Sequence, residues 1–147
     1  MTTYNHLWSP MGSVVTLMTT GLDALANTAA ALSDEIDNAT AKAKYLNLEL
    51  YVYTQEGART AGGYVQINIL PSVDGTNYND ATAPIPQMLC VMPFDAAVTA
   101  RYAVRVNLPI PPCKFKLQVV NRTGQAFGAD NSTLKYTLHS EQTTEAA

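Results

Sequence analysis

The chain has 147 residues, of which 47% are apolar and only 14% charged, with a net charge of −3. That length suits one domain burying roughly 70% of its unfolded surface, so a core forms without staples. The nine basic residues are scattered, with nothing longer than the alternating pairs Lys42/Lys44 and Lys114/Lys116, which disfavours phosphate-tracking nucleic-acid binding.

Residues 1–12 (MTTYNHLWSPMG) carry Tyr4, His6, Leu7 and the only tryptophan, Trp8, without periodicity, and end in Ser-Pro and Gly. They read as an extended N-terminal arm whose aromatics dock on the core or on another subunit. Residues 13–19 (SVVTLMT) are β-branched and predict a first strand. Over 21–37, Leu22, Leu25, Ala26, Ala29, Leu32 and Ile36 fall at helical spacing, yet the segment could equally be a loop followed by a short strand.

From residue 45 the period is two. In 45–54, Leu46, Leu48, Leu50 and Val52 alternate with Tyr45, Asn47, Glu49, Tyr51 and Tyr53. In 64–70, Val65, Ile67 and Ile69 form the inward set, with Gln66 and Asn68 outward. Met88 to Phe94 is expected to be a strand buried on both faces. In 101–108, Tyr102, Val104, Val106 and Leu108 are assigned inward, and Arg101, Arg105 and Asn107 outward. In 114–120, Phe115, Leu117 and Val119 face in; in 133–139, Leu134, Tyr136 and Leu138 do so, with His139 outward. Glu56-Gly57, Ala61-Gly62-Gly63, Asp74-Gly75, Pro84-Ile-Pro86, Pro109-Ile-Pro-Pro112 and Thr123-Gly124 punctuate these runs. About seven strands with one dry and one wet face predict an all-β, antiparallel, jelly-roll-like sandwich over 13–140, with 141–147 a flexible tail.

Chemistry is sparse. His6 and His139, the only histidines, have no local partner for a nucleophile–base pair, and no GxSxG, P-loop or GxGxxG is present. The cluster Asp34, Glu35 and Asp37 reads as a solvated face or as carboxylates favouring a helix start, because a glycosidase needs two carboxylates held about 5–10 Å apart in a groove. In 72–80 (SVDGTNYND), oxygen donors surround a glycine; a tight Asp-Gly turn is preferred, with calcium and a subunit contact through Tyr78 as alternatives. Cys90 and Cys113 sit outside any CxxC or Cys/His cluster and read as reduced core thiols, with a disulfide between them as the alternative. Asn-x-Ser/Thr triplets begin at Asn38, Asn121 and Asn131. The start carries no charged region followed by an apolar run, and no stretch approaches about 18 apolar residues, so synthesis in a cytoplasm, without a membrane span, is expected. The low charge suits a surface packed against neighbours. Outward Tyr51 and Tyr53 fit a subunit contact or stacking on sugar rings.

Three stretches together resemble small structural proteins of tailed bacteriophages: LANTAAALSDEIDN (25–38), GGYVQINILPSVDGTNYND (62–80) and LPIPPCKFKLQVVNRTGQAFGADNSTLKYTLHSEQ (108–142). The family is that of β-sandwich virion proteins of the capsid decoration (cement) type. The resemblance covers most of the chain outside the arm and implies no catalytic residue and no cofactor. It implies a homo-oligomer, commonly a trimer, bound to the major capsid protein on the outer capsid of the virion. Interface residues are then expected among Tyr4, His6, Leu7, Trp8, Tyr51, Tyr53 and Tyr78. A tail, neck or baseplate component, or a carbohydrate-binding module, are the competing readings.

Overall fold

Alternation of aliphatic and polar residues builds long strands wherever it runs unbroken, and in the computed structural model, which describes residues 2–80 and 87–146, it yields two packed antiparallel sheets. The elements are β1 (Tyr4–Trp8), β2 (Val15–Met18), β3 (Ala30–Leu32), β4 (Ile36–Asp37), α1 (Asn38–Ala41), β5 (Tyr45–Val52), β6 (Tyr64–Ser72), β7 (Gln87–Pro93), β8 (Arg101–Pro109), β9 (Lys114–Arg122), β10 (Thr133–His139) and β11 (Glu141–Glu145). One sheet runs β2-β10-β5-β8. The other runs β3-β9-β6-β7, with β4 also pairing β9. The all-β antiparallel sandwich expected from the sequence is the fold found. The Pro84-Ile-Pro86 breaker lies outside the described residues. No helix among the described residues is long and apolar enough to cross a membrane.

The core is the meeting of the two dry faces. Leu46, Leu48, Leu50, Val52 and Leu134 from one sheet pack with Val65, Ile67, Ile69, Phe115, Leu117 and Val119 from the other. Segment 21–37 resolves as loop and short strands: a single 3-10 turn (Thr20–Leu22), then β3 and β4 against β9. Leu22 and Ile36 are fully buried, Leu25 and Ala31 pack partly against the core, and Leu32 stays exposed, without helix formation.

Three expectations need correction. First, β8 has the opposite phase over most of its length. Tyr102, Val104 and Val106 face solvent, whereas Ala103 and Arg105 lie opposite inward-facing Leu50 and Leu48. A register shift between Leu46 and Leu48 returns only Leu108 to the interior. Asn107, at φ 57°, makes that bulge. Its amide donates to Asn47 Oδ1 (2.9 Å), and its own Oδ1 lies 2.9 Å from His139 Nε2. Asparagine tolerates this left-handed geometry better than most residues. Second, β7 is an edge strand, mostly half-exposed, and is not buried on both faces. Third, residues 141–145 form β11, paired antiparallel with β1 from Tyr4↔Glu145 to Trp8↔Glu141, so arm and tail make one ribbon. Asn68 faces outward as expected and is nonetheless buried, its amide donating to Gln118 (2.8 Å) and accepting from Gln66 (2.7 Å) along the sheet surface.

The loops at one end close around a buried guanidinium. Arg59 donates to Gln55 Oε1 (2.7 Å), Asp95 Oδ1 (3.0 Å) and the carbonyls of Asp95 and Thr99, and its plane sits 5.6 Å from the Phe94 ring. Gly124, at φ 89°, completes this end. A Cβ there would collide with the Thr60 side chain, so only glycine fits.

Candidate interaction surface

The outer face of the β2-β10-β5-β8 sheet carries a run of exposed apolar side chains. The inverted phase of β8 places Tyr102 (65% exposed), Val104 (50%) and Val106 (60%) in one row. Met11 and Val14, from the segment leading into β2, line the opposite wall of a shallow groove of about 240 Å³, whose floor is Asn47, Glu49, Lys135 and Thr137. The polar side chains of the floor pair with one another and leave the groove's surface largely apolar. Asn47 Nδ2 donates to Thr137 Oγ1 (3.1 Å), and Lys135 pairs Glu49 at 3.7 Å.

Aromatic clusters close both ends of this face. At one end, the Tyr51 ring lies 4.5 Å from Tyr102 and 6.3 Å from Tyr53. At the other, Trp8 meets Tyr45 edge-on at 5.5 Å and His139 at 5.6 Å, while Tyr45 stacks on His139 at 5.4 Å. This cover buries His139 despite its outward position. Glu141 ties the ribbon down by accepting from Tyr45 Oη (3.0 Å) and Lys44 Nζ (3.3 Å). The Tyr45 bond, then Lys44, hold the Glu141 carboxyl below its usual range, and Glu141 raises the Tyr45 hydroxyl.

Of the seven residues expected at an interface, Tyr4, His6, Leu7 and Trp8 lie on the exposed ribbon, and Tyr51 and Tyr53 lie on the same sheet's outer face. Tyr78 lies apart, on the other sheet. Its hydroxyl donates to Glu35, Lys116 Nζ sits 4.6 Å over its ring, and Lys114 completes the group with a 2.7 Å pair to Glu35. Lys114 first, then Tyr78, lower the Glu35 carboxyl; the Glu35 bond pushes the Tyr78 hydroxyl up to about 12. Sequence reasoning missed Tyr102, Val104, Val106, Met11 and Val14. The signal was the Arg105 and Asn107 parity, which a two-sided strand at a sheet margin does not resolve.

The other candidate chemistry resolves into structure. Asp74 Oδ1 accepts the amides of Thr76 and Asn77 (both 2.8 Å), and Oδ2 accepts Asn77 Nδ2 (2.7 Å), which makes the Asp-Gly loop an internal turn. Asp37 caps α1 through the Thr40 amide (3.0 Å). Among the described residues, no group of three or more His, Cys, Asp or Glu side chains is placed to hold a metal ion. Cys90 and Cys113 are free thiols, each half-buried, and burial pushes Cys90 up to about 11. Asn38 and Asn121 are fully buried with their amides donating to backbone carbonyls, so neither triplet can carry a glycan in the folded chain.

No family model matches the chain, and no curated protein matches it. Among solved structures it is similar to a chain of Desmodium yellow mottle tymovirus (10% identity, TM-score 0.39, covering 100% of this chain and 90% of that one). It is also similar to the CBM36-1 domain of a multidomain xylanase from the hindgut metagenome of Trinervitermes trinervoides (8% identity, TM-score 0.42, 99% of each chain). A third is Xyl-CBM35, solved with a glucuronic acid containing disaccharide (14% identity, TM-score 0.45, 97% of this chain and 94% of that one). At these values the similarities carry no argument about ligand or assembly.

Proposed function

We propose that this chain is a non-enzymatic structural protein of a tailed-phage virion, a capsid decoration (cement) protein that adheres to the major capsid protein through the outer face of its β2-β10-β5-β8 sheet. The observation that carries the adhesive reading is the row Tyr102, Val104 and Val106, exposed together on a weakly charged face. Contiguous apolar surface of this kind marks interaction sites on soluble domains. Aromatic anchors flank the row at both ends, as expected where a few large side chains carry the binding energy. The phage address and the trimeric state rest on the sequence resemblance. Nucleic acid and membrane are not among the proposed partners.

Tail-less heads test the address. The protein should co-sediment with them, and the double variant Val104→Lys/Val106→Lys should stay folded and fail to bind. Deleting residues 1–12 should also leave a folded chain that no longer binds. Association with tails alone would move the protein to the tail, neck or baseplate. Undiminished binding by the double variant would remove the sheet face from the account.

The Tyr51–Tyr53–Tyr102 cluster supports a second reading, a carbohydrate-binding module in which exposed Tyr53 and Tyr102 stack on sugar rings. A glycan-array signal abolished by Tyr53→Ala and Tyr102→Ala would establish it in place of the first.

A further inference from the structure

A β-strand with an open edge is a template for another strand, and this fold blunts its edges with one exception. In the four-stranded sheet, β2 has only four residues and a register shift. The other edge strand, β8, carries Arg101, Arg105, Pro109 and its bulge. Arg105 Nε also donates to the Val91 carbonyl of β7 (3.0 Å), and β7 has its own register shift and ends in Pro93. Strands β3 and β4 have three and two residues. In the ribbon, β11 begins and ends on glutamate. Only β1, YNHLW, presents five residues without charged side chain, proline, glycine or register shift, and its second edge meets no strand among the described residues.

The ribbon is also too small to stand alone. Both strands are exposed throughout, and each is only about 17 Å long. A two-stranded ribbon is marginal in water, and three or more strands with an apolar face are needed for independent stability.

We propose that β1 pairs antiparallel with β1 of a second copy about a two-fold axis at His6, making a four-stranded sheet in the order β11-β1-β1-β11. The YNHLW strand is self-complementary in this register. Tyr4 falls opposite Trp8 of the second copy, Asn5 opposite Leu7, and His6 opposite His6. Such a contact is isologous, with each strand supplying the same edge. Tyr4, His6 and Trp8 share one side of the strand, and Trp8 already rests on Tyr45 and His139, so the joined ribbons would carry one aromatic row continuous with both outer sheet faces. Cross-strand aromatic pairs are among the favourable ones in sheets. A foreign strand could use the same edge, but it would have to match this register, which a second copy does by construction. The proposal does not depend on the phage reading, and it leaves any three-fold association to another surface.

Sedimentation of the full chain across concentration, with peptide mapping of a His6→Cys variant, tests it. Directly opposed residues bring their Cα atoms within disulfide reach. The expected result is a concentration-dependent doubling of the smallest species, with rapid oxidation of His6→Cys to chains joined in pairs through position 6. Thr144→Cys, on β11, should give none. His6→Lys sets like charges opposite each other and should weaken the dimer about fivefold while leaving the monomer's circular dichroism unchanged. A wild-type chain monomeric throughout, or an oligomer in which His6→Cys does not cross-link, would overturn the proposal.

Discussion

The outer faces of the two sheets are finished in different ways. On the β3-β9-β6-β7 sheet the outward polar side chains are spent within the molecule, and exposed apolar ones, Leu32 and Met88, stand singly on the short strand β3 and the edge strand β7. Gln66, Asn68 and Gln118 form an amide ladder, and Glu35, Tyr78, Lys114 and Lys116 form a charged cluster over the strands. On the β2-β10-β5-β8 sheet the polar side chains pair with one another along the centre, and the apolar ones, Tyr102, Val104 and Val106, are left facing water. Strands of similar composition thus give one surface whose exposed apolar side chains are isolated and one where they form a row. A single bulge at Asn107 and the inward turn of Arg105 separate the two outcomes.

The contrast can be broken by substitution. Leu117→Ala, at a fully buried position, should cost about 2–5 kcal/mol, read from denaturant unfolding. Asn68→Ala leaves Gln118 Oε1 without the 2.8 Å donor it now has, and should cost about 1–3 kcal/mol in the same assay. Val106→Lys, on the open face, should change stability by no more than about 0.5 kcal/mol although it replaces a strand valine. If Val106→Lys is as costly as Leu117→Ala, the β8 phase described above is wrong.

Acid should loosen the charged cluster of one sheet and, through Asp95 and Glu141, the two ends of the other, but not the apolar row between them. Lys114 and Tyr78 hold the Glu35 carboxyl below its ordinary value of 4.5, and the Asp74 carboxyl is held lower still by the amides of Asn77 and Thr76. A depressed carboxylate stabilises the fold above its unfolded value, and that contribution is lost as pH falls through its folded value. Amide exchange over 74–78, corrected for its intrinsic rate, should therefore rise as pH falls below 4.5, with Val104 to Val106 of β8 unaffected. Equal loosening of both segments would contradict the assignment of the charged cluster to one face.

Most of the fold was legible because alternation is a local signal. Leu46 to Val52, Val65 to Ile69 and Phe115 to Val119 each present the inward set that period two assigns. The failures share a cause, since each depended on a distant partner. Nothing near β8 says that Asn47 and His139 hold Asn107 in a left-handed conformation, and nothing in SEQTTEAA says that YNHLW will pair with it. The candidate surface suffered most, since its central row comes from the strand with the misassigned phase. Its aromatic flanks, Tyr51, Tyr53 and Trp8, were visible as outward or orphaned rings.

Hydroxyl-radical footprinting of the protein, free and bound on purified virions, tests most directly whether the open sheet face is the contact. Protection on binding should fall on Tyr102, Tyr53 and Met11, with Tyr78 equally reactive in both states. Protection confined to Tyr78 and its neighbours, with Tyr102 and Met11 as reactive as in the free protein, would contradict it.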